Sequence, residues 1–153
     1  MPHGVRDFMD YENEAKELII YLMKNEQSRP FFKDHVATIS KGEVAVLIYL
    51  FDEKNGATAH DISERSMVNT SRVAAILNNL TKKGFVERKT DPSDKRKINV
   101  YLTNLGKEHV NQKRDSAIAH LSKVLAFLGE HDTKEYIRIM KRVAYFMTQQ
   151  NDK

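Results

Sequence analysis

One interval of this chain departs from the pattern of the rest and restricts the fold more than any other feature. Near Thr103 the apolar residues Ile98, Val100 and Leu102 alternate with Lys97, Asn99 and Tyr101, the two-residue period of a half-buried strand. The residues before it, Asp91-Pro92-Ser93-Asp94, are turn chemistry. Pro92 fixes its own φ, and the flanking Asp and Ser side chains can bond nearby backbone. Upstream, Phe85 or Val86 with Arg88 and Thr90 offers a partner strand. The interval is therefore a predicted β-hairpin with a charged tip. Everything else that is periodic reads as helix, so the fold class is mainly α with one small β-hairpin.

Charge singles out the same place. From Lys82 to Lys97 there are seven bases (Lys82, Lys83, Arg88, Lys89, Lys95, Arg96, Lys97) against three acids (Glu87, Asp91, Asp94), an excess of four. The whole chain carries a formal net charge of +4, so the bases and acids outside this window cancel. Positive charge concentrated in one element points to a polyanionic partner, although a lysine-rich solvated face has the same composition. At 153 residues and 41% hydrophobic, one domain-sized chain with a core is expected. The longest apolar run, Val44 to Phe51, is eight residues, against the roughly 18 a membrane helix needs. No basic-then-apolar leader is visible at the N-terminus, so a cytoplasmic protein without membrane contact is expected. The absence of cysteine removes disulfides, thiolate catalysis and thiolate metal sites.

The helical readings run in order. Tyr11, Ala15, Leu18, Ile19 and Leu22 share one helical face, which should end before Pro30. Ser40 and Glu43 form a capping-box pattern ahead of an apolar stripe of Val44, Leu47, Ile48 and Phe51, with Gly56 near the C′ position. Thr58 and Asp61 repeat the start signal for a short helix from Ala59 to about Ser66. After Met67-Val68-Asn69, a helix capped by Asn69 or Thr70 runs to Gly84, with Val73, Ile76, Leu77 and Leu80 inward and Ser71, Arg72, Ala75, Asn78, Asn79 and Lys82 pointing elsewhere.

Two short helices joined by a tight turn are the layout of a helix-turn-helix, whose second helix enters the major groove. Small residues there allow close approach, and Arg72, Asn78 and Asn79 can donate to bases or phosphates. A helix pair followed at once by a basic hairpin is a winged helix. Its tip needs cations because it lies along the phosphate backbone, where an arginine can enter the minor groove. Asp94 can hold Arg96 or a backbone amide and orient it. The candidate DNA-binding residues are thus Thr70, Ser71, Arg72, Ala75, Asn78, Asn79 and Lys82 on the recognition helix, and Arg88, Lys89, Asp94, Lys95, Arg96 and Lys97 on the wing.

The run NNLTKKGFVERKTDPSDKRKINVYLTNLGKEHV resembles the multiple-antibiotic-resistance regulator (MarR) family of winged-helix transcription factors. Leu80, Lys82, Lys83 and Gly84, then Val86 and Arg88, Asp94 and Arg96, and finally Leu102, Thr103 and Gly106 carry the likeness. The resemblance implies a homodimer held by its N- and C-terminal helices, acting on a pseudo-palindromic double-stranded DNA operator, usually as a repressor released by a small-molecule effector. Family members often carry Ser and Arg where this chain has Ala74 and Ala75. That departure leaves Arg72, Asn78 and Asn79 as the readers. Residues 1–36 and 104–153 are expected to form the dimerisation region and residues 37–103 the winged helix.

Independent of the family, Val110, Ala117, Ile118, Leu121, Val124, Leu125 and Leu128, and then Tyr136, Met140, Val143 and Met147, make two amphipathic stripes after Thr103, a plausible N-cap. Together with the first helix they hold more apolar surface than so small a domain covers, so a partner copy is expected. Phe31, Phe32 and His35 could line an effector pocket or simply be core. His109, His120 and His131 recur every eleven residues, about 16 Å apart along a helix and too far to share a metal ion. No metal or cofactor is expected, and without a phosphate-cradling loop or a paired nucleophile and base, no enzyme. The alternative is a winged helix serving as a protein-interaction module, its basic wing docking an acidic partner.

Overall fold

The computed structural model describes residues 8–24, 42–66 and 68–150. Its elements, in chain order, are α1 (Tyr11–Lys24), α2 (Glu43–Asp52), α3 (Ala59–Ser66), α4 (Thr70–Lys82), β1 (Val86–Thr90), β2 (Ile98–Leu102) and α5 (Asn104–Gln149). They divide into two compact units, one from Met1–Val36 with Asp115–Lys153, the other from Ala37–Arg114. Ser40 of the expected capping box lies outside the described residues. The helix after it starts at Gly42, with no side-chain cap.

In the Ala37–Arg114 unit, the core takes Val46, Leu47 and Leu50 from α2, Ile62 from α3, and Val73, Ile76, Leu77 and Leu80 from α4. Val86, Val100, Leu102 and Val110 of α5 close it. Burying each leucine-sized side chain favours the fold by about 1.5–3 kcal/mol. The buried face of α2 differs from the predicted stripe. Only Leu47 is common to both, and Phe51 lies at the rim, 37% exposed, beneath the Arg114 guanidinium at 4.9 Å. The run from Val44 to Phe51 is apolar all round, so periodicity alone could not choose which side faces the sheet.

Gly56 also has a different task from the predicted one. α2 stops with Glu53 at its C-cap, and Gly56 (φ 95°) turns the chain so that Gly56 N donates to Val100 O and Val100 N to Ala57 O, both at 2.8 Å. A Cβ there would come within 2.7 Å of the Tyr101 ring. Asn55 completes this clasp by accepting from Leu102 N at 2.9 Å.

The hairpin is antiparallel, with Val86 opposite Leu102, Arg88 opposite Val100 and Thr90 opposite Ile98. Val100 and Leu102 are buried, but Ile98 is 53% exposed, because only the base of the hairpin reaches the core and its tip extends past it. The stripe predicted for β2 therefore ends one residue pair early. At the exit, Thr103 caps α5 by accepting from Gly106 N at 3.0 Å, while its hydroxyl donates to Gly84 O at 2.6 Å. His109, one turn on, stacks on Phe85 with ring centroids 4.3 Å apart.

In the other unit, Leu18 and Leu22 of α1 pack with Ala144 and with the half-buried Tyr136, Met140 and Val143. α5 breaks at Gly129 (φ 79°, ψ 173°). The break frees carbonyls of the preceding turn, and the buried Thr133 hydroxyl donates to Leu125 O at 2.8 Å. Phe127 (90%), Tyr145 (64%), Phe146 (57%) and Ile139 (50%) remain exposed. No described helix is long and apolar enough to cross a membrane.

Candidate nucleic-acid interface

The site is built from α3 upward. Thr58 and Asp61 cap α3 reciprocally, Thr58 N donating to Asp61 Oδ2 at 3.0 Å and Asp61 N to Thr58 Oγ1 at 3.1 Å. Lys54 adds an ion pair to the same carboxylate at 2.8 Å, and this bond, with those from Thr58, holds Asp61 below its ordinary pKa. The Ser63 hydroxyl donates to Val68 O at 2.5 Å, fixing the turn into α4. Asn69 Oδ1 then accepts from Arg72 N at 2.8 Å, the N-cap that starts α4.

α4 buries Val73, Ile76, Leu77 and Leu80 and leaves Thr70, Ser71, Arg72, Ala75, Asn78, Asn79 and Lys82 exposed. It ends in a Schellman motif: Phe85 N donates to Leu80 O and Gly84 N to Thr81 O, each at 3.0 Å, around Gly84 at φ 77°. The helix is thus fixed at both ends, and its polar face is exposed.

Directly after it, β1 lies against that face. Arg88 Nη2 donates to Asn78 Oδ1 at 2.8 Å, so strand and helix share a side-chain bond. Lys89 sits 3.2 Å from Glu87 and 5.5 Å above the Tyr101 ring. At the tip, Asp91 is the organising group. Its carboxylate accepts from the Ser93 hydroxyl at 2.6 Å, the Asn99 amide at 2.8 Å, and Ser93 N and Asp94 N at 2.8 and 3.1 Å. These bonds, the Ser93 hydroxyl foremost, hold its pKa far below the usual carboxylate range.

Asp94 does both things expected of it, accepting from Arg96 N at 3.0 Å and from Arg96 Nε at 3.4 Å. The Arg96 side chain is nevertheless 93% exposed. Lys83, by contrast, is engaged by Glu43 at 2.7 Å. Arg72, Lys82, Lys95 and Lys97 are exposed and have no acidic partner among the described residues. The arrangement presents an amide-bearing helix and a rigid basic tip on one unit, chemistry suited to a polyanion with readable edges. Phe31, Phe32 and His35 lie outside the described residues.

Residues 39–98 match the MarR family model, the interval that contains α2 to the start of β2. Over that interval the chain is similar to the MarR family. It is 27% identical over 103 residues to the HTH-type transcriptional repressor YetL of Bacillus subtilis (strain 168), covering 67% of this chain and 62% of YetL. The chain thus spans about three-fifths of that relative's length.

Solved MarR-like structures share the fold. The transcriptional regulator Tm0710 of Thermotoga maritima superposes with a TM-score of 0.56 at 20% identity, over 94% of this chain and 97% of that one. FabT of Streptococcus pneumoniae, solved in complex with DNA, gives 0.56 at 24% identity, over 89% and 90%. The helix-turn-helix followed by a two-stranded wing is therefore the winged-helix fold of these structures.

Three features of the site were not foreseen from the sequence. Arg88 bonds to Asn78, Asp91 rather than Asp94 organises the tip, and Asn55 clamps β2. The Asn55-Gly56 pair and the Asp-Pro-Ser turn were the available signals for two of them; nothing local signals the first.

Proposed function

We propose that this protein is a sequence-specific transcriptional regulator that binds double-stranded DNA as a homodimer on a pseudo-palindromic operator, as a repressor responsive to a small effector. The observation that carries the reading is the union of α4's exposed amide face with an ordered basic wing, tied by the Arg88–Asn78 bond. In this reading Ser71 and Ala75 let α4 approach the groove, Arg72, Asn78 and Asn79 contact base edges or phosphates, and Thr70 and Lys82 contact the backbone at its ends. Arg88, Lys89, Lys95, Arg96 and Lys97 face phosphates, with Asp94 orienting Arg96 toward the minor groove.

Support comes also from YetL, named a transcriptional repressor, and from FabT, which shares the fold and was solved with DNA. The homodimer is supported by the exposed Phe127, Ile139, Tyr145 and Phe146, an apolar surface that a second copy would cover. Two-fold symmetry would place two recognition helices about 34 Å apart, one turn of DNA.

The test is binding to a labelled fragment from upstream of the protein's own coding region, across salt concentrations and against excess nonspecific DNA. Tight binding that survives competitor, with log affinity falling linearly in log salt, is expected. Binding that competitor abolishes, on this and on genome-wide selected fragments, would favour a winged helix that docks a protein.

A further inference from the structure

The bond between wing and recognition helix constrains how the helix can read. Arg88 has only donors and no acceptor, so the atom of Asn78 that faces it must be the carbonyl oxygen. The 2.8 Å contact from Arg88 Nη2 to Asn78 Oδ1 therefore turns the Asn78 NH₂ group away from the wing. Nothing on the preceding turn competes for that amide, because Ala74 and Ala75 have no polar side-chain atom. One turn further on, Lys82 is also a donor only.

We propose that Arg88 is a positioning residue that biases Asn78 toward donor readout, so that Asn78 selects an acceptor edge, guanine above adenine, in the major groove. The inference rests on the DNA-binding reading above. A free asparagine pairs with adenine through both its atoms, accepting from N6 and donating to N7. Oδ1 has two lone pairs, but with one bound to the Arg88 guanidinium and the oxygen held toward the wing strand it is a poorer acceptor for N6, and the accepting half of that pair is weakened. The donor half, two N–H groups of one nitrogen, suits the adjacent O6 and N7 acceptors of guanine. The wing strand then contributes to specificity at a base it does not touch, in addition to any phosphate it neutralises.

The experiment is selection from a random double-stranded DNA pool by the full chain and by Arg88→Met, Asn78→Ala and the double variant, each first checked for unchanged thermal unfolding. The wild type should enrich guanine at one position of each half-site. Arg88→Met should move that position toward adenine or to no preference, by about tenfold in relative affinity, the scale of one good base contact. Other positions should keep their preference. Asn78→Ala should erase the same position, with no further change there in the double variant.

The proposal is overturned if Arg88→Met weakens all sequences alike and only lowers the salt slope by about one, the signature of a phosphate contact. A second measurement separates this failure from failure of the DNA-binding reading. In the DNA-free protein, the Asn78 side-chain amide resonances should shift on Arg88→Met; unchanged resonances overturn the positioning role. If the wild type enriches no sequence while those resonances do shift, the regulator reading falls and takes the readout with it.

Discussion

Replacing Gly106 by alanine pits local propensity against tertiary packing, and the two forecast opposite signs. Gly106 lies in the first turn of α5 and lacks the positive φ found at Gly42, Gly56, Gly84 and Gly129. Helix propensity alone would make the alanine variant more stable by about 1 kcal/mol. Yet a Cβ on Gly106 would stand 2.0 Å from Phe85 O and 3.1 Å from Leu102 Cδ2. The first neighbour is backbone, so no rotamer change relieves it. Phe85 O also accepts from Thr103 N at 3.1 Å, and Gly106 N donates to Thr103 Oγ1. Separating the two backbones stretches both bonds, each worth about 1 kcal/mol net. Overpacking strain adds about 1–3 kcal/mol. After subtracting the propensity gain, the expected loss is about 2–4 kcal/mol, or roughly 4–16 °C in melting temperature for a chain of this size. Paired urea and thermal unfolding of wild type and Gly106→Ala measures it. An alanine variant as stable as wild type, or more so, would refute the close-approach argument.

Other consequences are sharper at the interface. Arg96→Ala should weaken DNA binding by about 1–3 kcal/mol without moving the melting temperature, since its exposed pair with Asp94 contributes at most about 1 kcal/mol; gel-shift titration beside calorimetry separates the two. Asp91→Ala should accelerate hydrogen exchange at the Ser93 and Asp94 amides by roughly tenfold or more, the loss of about one hydrogen bond each. Because the folded Asp91 carboxyl has a lowered pKa, its contribution is complete above its unfolded value of about 4 and fades as pH falls below that; wing amides of the wild type should stay protected at pH 5 and lose protection toward pH 2. His109 is also lowered, by burial first and then by Lys113 and Lys83, with Glu43 opposing. A base whose pKa is lowered in the fold loses stability as pH falls through its unfolded value of about 6.5. Unfolding between pH 7.5 and 5.5 should show that slope, and His109→Phe should flatten it.

How much of this was legible follows from the distance between partners in the sequence. The Thr58–Asp61 box, the Asn69 cap, the Gly84 stop and the Thr103 start each join residues a few positions apart. Their residue types announce them, and the structure contains all four. The inward side of α4 was legible for a related reason: its apolar residues occupy one stripe and its polar ones the other. The inward side of α2 was not, because α2 is apolar on every side and only the position of β2 selects Val46 and Leu50 over Val44 and Phe51.

Contacts that close over longer loops carried no local sign. Asn55 reaches Leu102 across 47 positions, and Gly106 meets Phe85 only because the hairpin returns the chain to the end of α4. The same geometry divides the candidate site. Which residues are exposed and basic could be read from composition and period, so the inventory of recognition-helix and wing residues needed no coordinates. Which of them constrain one another could not, since Arg88 and Asn78 are ordinary surface residues until β1 is laid against α4. Their bond, Arg88 donating and Asn78 accepting, couples two side chains that composition would treat as independent. For this chain, charge in the sequence argues for a polyanionic partner, and the hairpin's register against α4 argues for what it would choose along that partner.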